Sequence, residues 1–192
     1  MGGAGKTWLI AASWLAGASP ALAADLSEKL ASCIACHGAE GQSQTQNVPS
    51  LGGQPAPYSV IQLFLFREKM RVADPMNETA KGLSDDNLQT IAAAIATLPA
   101  PKPPADRGDP VRLERTRVLI AQNHCNICHR PDFSGQENVP RIGGQREDYL
   151  LKTLRDYKNG TRHGYDATMA EALQPVNDAQ LVELAYYLAR LR

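Results

Sequence analysis

The sequence predicts an all-α protein that contains two tandem copies of one small helical domain. Apolar residues recur at the three-to-four-residue spacing of amphipathic helices, and no segment shows the convincing alternation of a β-strand. Residues of the first half recur in the second half at an offset that is constant to within one residue. A proline-rich segment separates the two halves. We therefore expect two domains of roughly 80 residues each.

Residues 1–23 have the features of a cleavable export signal. Lys6 supplies a positive charge, residues 8–15 form a mostly apolar stretch, and Ala21-Leu22-Ala23 matches the small-x-small pattern that a signal peptidase accepts. We expect cleavage after Ala23. The apolar stretch is short and interrupted, which makes a retained membrane anchor the weaker interpretation.

Three helices are predicted in the first copy. Asp25 followed by Glu28 resembles a capping box for a helix that runs into Cys33. Pro57 is suited to the first turn of a second helix, and Ser84 is suited to cap a third. The counterparts in the second copy are expected to begin near Val111, Arg146 and Asn177.

The boundary between the copies is predicted at residues 99–110, which contain five prolines. Such a segment cannot form a stable helix and acts as a semi-rigid spacer. The first domain is accordingly expected at residues 24–98 and the second at residues 111–192.

The pattern Cys-x-x-Cys-His occurs twice and uses every cysteine of the chain, as Cys33-Ile34-Ala35-Cys36-His37 and as Cys125-Asn126-Ile127-Cys128-His129. This pattern is typical of covalent haem attachment. Two thiols one helical turn apart can add to the two vinyl groups of a porphyrin, and the adjoining imidazole can bind the iron. The sequence therefore predicts two covalently bound haem c groups, with His37 and His129 as iron ligands.

Other uses of the cysteines are less consistent with the pattern. A four-cysteine zinc site requires pairs at a short spacing, but nearly ninety residues lie between Cys36 and Cys125. A thioredoxin-like pair belongs to a βαβ context, and two simple disulfides of an exported protein leave both histidines unexplained.

Methionines are the candidates for the second ligand of each iron. Met169 is the candidate in the second copy, in a predicted loop. Met76, also in a predicted loop, aligns with Met169 to within a residue of the cysteine offset and is favoured over Met70 in the first copy. His124 and His163 have no counterpart in the first copy, so we expect neither to bind metal, with His163 in place of Met169 as the main alternative.

The repeat extends well beyond the attachment motif. The recurring pairs include Pro49 and Pro140, Gly52-Gly53-Gln54 and Gly143-Gly144-Gln145, Tyr58 and Tyr149, and Arg71 and Arg162. The two arginines can pair with haem propionates, and solvated charges at helix ends are the equally plausible alternative.

Taken together, these motifs, the paired methionines and the proline-rich link make the chain resemble the dihaem cytochromes c of the cytochrome c4 family. The resemblance covers essentially the whole chain after the leader. It implies two tandem class I cytochrome c domains related by pseudo-twofold symmetry, each wrapped around one covalent haem, with the propionates facing the interface.

The resemblance also implies a ligand set and a cellular role. The thioether cysteines are Cys33, Cys36, Cys125 and Cys128, the proximal ligands are His37 and His129, and the distal ligands are Met76 and Met169. The carbonyls of Pro49 and Pro140 would accept a hydrogen bond from the proximal imidazoles. The implied role is electron transfer in the periplasm, often toward a terminal oxidase. One departure is that Met76 follows Arg71 two residues sooner than Met169 follows Arg162.

With both irons six-coordinate, the protein is expected to be an electron carrier and not an enzyme. One alternative is the dihaem electron-accepting subunit of a larger dehydrogenase, such as a flavocytochrome, and another is a small haem peroxidase.

Residues 24–100 carry 5 basic and 8 acidic side chains, whereas residues 101–192 carry 14 basic and 12 acidic side chains. Opposite lobes can therefore face different redox partners, although scattered solvated charges account for these counts as well, and nothing indicates nucleic acid.

Overall fold

The computed structural model describes residues 1, 20–162 and 167–192. Its α-helices are α1 Pro20–His37, α2 Ala56–Arg67, α3 Asp74–Ala80, α4 Asp85–Thr97, α5 Pro110–Gln122, α6 Cys125–His129, α7 Glu147–Lys158, α8 Thr168–Ala172 and α9 Asp178–Arg190. Over these ranges the other regular features are a 3-10 turn after α1 and an isolated bridge between Gln136 and Val139. The predicted all-α class is therefore confirmed.

Two sequence predictions concern residues outside the described ranges. Most of the leader lies at residues 2–19, and His163 lies at residues 163–166. Helix α1 begins at Pro20, upstream of the start predicted at Asp25. Among the described helices, none has the length and apolar character needed to cross a membrane.

A capping box lies at the start of the last helix of each lobe, α4 and α9. The Ser84 hydroxyl accepts a hydrogen bond from the Asn87 N–H at 3.2 Å, and the Asn87 side chain accepts one from the Ser84 N–H. Asn177 and Gln180 make the same reciprocal pair at the start of α9. Because each box satisfies two free N–H groups, both helices begin where the sequence predicts.

The first helix of the second copy is broken before the attachment motif, whereas α1 of the first copy runs through its motif to His37. His124 has a φ of 54°, in the left-handed region, so α5 ends at Gln122 and a separate helix begins at Cys125. A non-glycine residue in this region ends a right-handed helix. The attachment motif of the second copy therefore forms a short helix of its own.

Both methionines favoured as ligands lie on short helices, so the prediction that they lie in loops is wrong. Met76 is in α3, where Pro75 occupies the first turn, and Met169 is in α8. Pro75 favoured the prediction of a loop, but proline is well tolerated in the first turn of a helix. Each methionine is thereby held on a defined turn.

Each lobe has its own apolar core. In the first lobe, where α2 packs on α4, the buried residues that cluster together are Leu63, Leu88, Ile91 and Ile95. In the second lobe, where α9 packs on α5 and α7, they are Ile120, Phe133, Leu150, Leu154, Leu173, Val176, Leu181, Leu184, Ala185, Leu188 and Ala189. The first core is small, and a bound cofactor would add the apolar surface that a small domain needs.

The segment between the lobes is fastened to the second lobe. Asp106 forms an ion pair with Arg190, and the Asp109 N–H donates to the Tyr186 hydroxyl at 2.8 Å. Asp109 also caps α5, which Pro110 opens. The spacer is therefore held at its C-terminal end.

Replacing Leu181, which is 1% exposed, by alanine should lower the free energy of unfolding by about 2–5 kcal/mol, because it opens a cavity in the second core. Guanidinium unfolding of the haem-loaded protein, followed by far-UV circular dichroism, measures this change. Val118→Ala on α5 is the control, since its side chain is 46% exposed. We expect the control to change stability by no more than about 0.5 kcal/mol. Equal losses in both variants would contradict the assigned core.

Candidate functional site

The two cysteines of each attachment motif lie on a helix. Cys33 and Cys36 are in the last turns of α1, and Cys125 and Cys128 are in α6. The first thiol of each pair is half-buried and the second is exposed. Burial raises the pKa of the Cys33 and Cys125 thiols. In the described residues, no group of three or more histidine, cysteine or acidic side chains is arranged to hold a metal ion.

The two motif histidines are buried and held in the same way. His37 is 6% exposed and its Nδ1 lies 2.8 Å from the Pro49 carbonyl oxygen, while His129 is 7% exposed and its Nδ1 lies 2.9 Å from that of Pro140. Because a carbonyl can only accept, Nδ1 carries the proton and Nε2 keeps its lone pair.

Burial also favours the neutral form of both imidazoles. It lowers the pKa of His37 and His129, and this effect outweighs the opposing effect of the hydrogen bonds to the two proline carbonyls. A neutral ring with a fixed Nδ1–H and a free Nε2 is the form of histidine that binds iron.

The methionines differ in their surroundings. Met76 packs against the core of the first lobe and Met169 against that of the second, whereas Met70 is 58% exposed. His124 is exposed at the break between α5 and α6. Of the described candidates for a distal ligand, Met76 and Met169 are the ones that contact the apolar interior.

A polar cluster lies between the lobes and repeats the internal symmetry of the chain. Nη2 of Arg71 donates to the Tyr149 hydroxyl of the other lobe at 3.2 Å, and Nη2 of Arg162 donates to the Tyr58 hydroxyl at 3.2 Å. Each arginine therefore contacts the tyrosine of the opposite copy, as expected for a twofold-related interface. Arg71 also donates to Gln62 within its own copy, as Arg162 does to the aligned Thr153.

This cluster has an excess of positive charge. In the described part of the chain, no carboxylate lies within salt-bridge distance of Arg71 or Arg162, and the buried Nε of Arg162 has no hydrogen-bond partner. Burial alone would raise the pKa of Tyr149, but the charges of Arg162 and Arg71 outweigh it and lower that pKa. Arg162 is buried and Arg71 beside it is half-buried. Two adjacent cations withdrawn from water call for an anion, and the carboxylates of haem propionates fit this requirement.

Several interface residues were missed as functional candidates. Gln54 and Gln145 belong to the repeated Gly-Gly-Gln segments, and each binds the backbone of the other lobe. The preceding Gly53 and Gly144 have φ values of 64° and 72°, which glycine adopts without strain. The repetition of Gly-Gly-Gln was the sequence signal that these residues have a role. It does not indicate which backbone groups the two glutamine amides bind.

Comparison with known proteins finds cytochromes c. The family model described as cytochrome c matches residues 23–99 and 113–192. Cytochrome c4 of Pseudomonas aeruginosa is 34% identical over 143 residues, 70% of either chain. A thiosulfate dehydrogenase electron acceptor of Thiomonas intermedia is 30% identical over 192 residues, 95% of this chain and 84% of the relative. The structure of reduced cytochrome c4 from Pseudomonas stutzeri matches with a TM-score of 0.79 and 27% identity, over 88% of this chain and 98% of that one.

Replacing Arg162 by glutamine should destabilise the haem-loaded protein by about 3 kcal/mol, because it leaves a buried anion without its partner. Arg155→Gln is the control, since Arg155 forms an exposed ion pair with Asp178 and should contribute less than about 1 kcal/mol. Guanidinium unfolding followed by the haem absorbance measures both values. A loss for Arg162→Gln no larger than for Arg155→Gln would show that no anion is bound at the cluster.

Proposed function

The chain belongs to the cytochrome c4 family of dihaem electron-transfer proteins, and we propose that it carries single electrons between redox proteins of the periplasm. It binds two haem c groups covalently. The observation that carries the proposal is the pair of buried imidazoles, each with its Nδ1–H on a proline carbonyl and each directly after a Cys-x-x-Cys turn.

The proposed site residues are those predicted from the sequence. Cys33, Cys36, Cys125 and Cys128 form the thioether bonds, His37 and His129 bind iron on the proximal side, and Met76 and Met169 bind it on the distal side. Burial of both imidazoles and the contact of both methionines with a core support this assignment.

Bound haem supplies reversible one-electron exchange at its iron. With His37 and Met76 on one iron and His129 and Met169 on the other, no position would be open to a substrate or to oxygen. Thioether ligation stabilises ferrous iron and makes both centres relatively oxidising. Arg71 and Arg162 would hold the haem propionates, and the apolar cores would exclude water from the rings.

The domain limits and the location are part of the same proposal. We assign residues 24–98 and 111–192 to the two haem domains and residues 99–110 to the spacer. The end of α4 at Thr97 and the start of α5 at Pro110 support these limits. Residues 1–23 direct export, and haem attachment follows outside the cytoplasmic membrane.

A second candidate is an electron-accepting partner of a dehydrogenase. The match to a thiosulfate dehydrogenase electron acceptor of Thiomonas intermedia, which covers 95% of this chain, favours it. The two roles use the same fold and the same ligands but differ in the donor.

Stopped-flow mixing separates these roles. The free-carrier role requires rapid oxidation of the reduced protein by membranes that contain a terminal oxidase. The acceptor role requires rapid reduction of the oxidised protein by a purified thiosulfate dehydrogenase supplied with thiosulfate. Electron transfer in only one mixture assigns the role, and transfer in neither contradicts both.

Removing one distal methionine should change one haem only. In Met76→Ala or Met169→Ala we expect the near-infrared sulfur-to-iron band to fall by about half, and one haem to become high-spin, because one thioether ligand is lost. Met70→Ala is the matched control and should keep the full band, since Met70 is exposed. Visible and near-infrared absorption during a redox titration measures these changes. Loss of half the band in Met70→Ala would instead place Met70 on the first iron.

A further inference from the structure

Two glutamines each bind both backbone polar groups of one residue in the opposite lobe. Oε1 of Gln145 accepts from the Ser50 N–H at 2.8 Å, and its Nε2 donates to the Ser50 carbonyl at 2.8 Å. Oε1 of Gln54 accepts from the Arg141 N–H at 3.0 Å, and its Nε2 donates to the Arg141 carbonyl at 2.8 Å. Both glutamine side chains are buried.

The N–H groups that the glutamines bind belong to the same peptide groups whose carbonyls accept from the two imidazoles. Ser50 directly follows Pro49, so the Pro49 carbonyl that accepts from His37 and the Ser50 N–H are parts of one peptide group. In the other copy, Pro140 and Arg141 share a peptide group in the same way. A continuous path of hydrogen bonds therefore runs from each proximal imidazole, through one peptide group, to a glutamine of the other lobe.

Hydrogen bonds in such a chain polarise one another. When the N–H of a peptide group is accepted by another carbonyl, its own carbonyl oxygen gains electron density and accepts more strongly. A stronger acceptor at Nδ1–H makes the imidazole more basic and fixes its ring orientation. A more basic ligand stabilises ferric iron and lowers the reduction potential.

We propose that Gln54 and Gln145 are positioning residues through which each lobe sets the reduction potential of the haem in the other lobe. Gln145 acts on the first haem through Ser50, Pro49 and His37. Gln54 acts on the second haem through Arg141, Pro140 and His129. This inference rests on the proposed ligation by His37 and His129.

The consequence is a crossed pattern of effects. Gln54→Leu removes the acceptor for the Arg141 N–H. It should raise the reduction potential of the second haem and leave that of the first haem unchanged. Gln145→Leu should raise the potential of the first haem only. We expect about a threefold change in the ratio of oxidised to reduced haem at fixed potential, or about 28 mV at 59 mV per decade. Loss of a direct outer-shell partner typically costs about tenfold to a hundredfold in metal affinity or activity, and an indirect partner should have a smaller effect.

The test is a redox titration of each haem-loaded variant, with Met76→Ala and Met169→Ala used to assign the two potentials. Gln42→Leu is the matched control, since Gln42 donates to the Lys102 carbonyl of the spacer at 2.9 Å and touches neither proline peptide. Gln54→Ala and Gln145→Ala serve where the leucine variants do not fold, because they leave room for water. Amide hydrogen exchange at Ser50 and Arg141 provides a readout that does not depend on electron transfer.

The crossed pattern, with faster exchange only at the amide that each glutamine binds, would support the proposal. Equal shifts of both haems, a shift of the haem in the same lobe, or shifts no larger than in Gln42→Leu would overturn it. Failure of the proposed ligation is seen separately, as the absence of two methionine-ligated low-spin haems in the unaltered protein.

Discussion

The hydrogen bond between a buried imidazole and a proline carbonyl is the interaction on which the rest of the structure depends. It joins the helix that carries the cysteines to the loop that forms the interface, and it occurs once in each lobe. It also selects one tautomer, because the carbonyl requires a proton on Nδ1 and leaves Nε2 free. Burial keeps the ring neutral, so attachment helix, ligand and interface loop are set by one contact in each copy.

Duplication explains why the interface is built from reciprocal pairs. When two similar units meet about a pseudo-twofold axis, a contact from one residue to another in the partner unit is repeated in the reverse direction. The arginine-to-tyrosine hydrogen bonds follow this rule, and so do the hydrogen bonds of the two glutamines to the backbone of Ser50 and Arg141. The polar groups of such a buried interface find their hydrogen-bond partners only when the two lobes are docked together. The two lobes therefore act as one unit at their contact, although each has its own core.

The sequence predicts the parts of this design that depend on local chemistry. The helix starts after Ser84 and Asn177 follow from local sequence, because their capping hydrogen bonds join residues three positions apart. The break at His124 could not be predicted, since it depends on a left-handed φ at a residue with no unusual composition around it. The partners of Gln54 and Gln145 could not be predicted either, because they lie 87 and 95 residues away in the chain. Repetition identifies residues with a role, but only the fold determines what they bind.

The two copies hold their motif histidines in the same way, but they support the segments that carry Met76 and Met169 differently. The turn that carries Met76 is fixed by Asn77, whose amide binds the backbone of Ala73, Phe66 and Arg71 at 2.7 to 2.9 Å. The aligned region of the second copy has no such asparagine, and there the Lys158 ammonium holds the end of α8 through the Leu173 and Gln174 carbonyls. The two motif histidines thus share one geometry, while the segments that carry the two methionines are supported by different contacts. Under the proposed ligation, this asymmetry would give the two iron centres different outer-shell contacts, so their reduction potentials need not be equal.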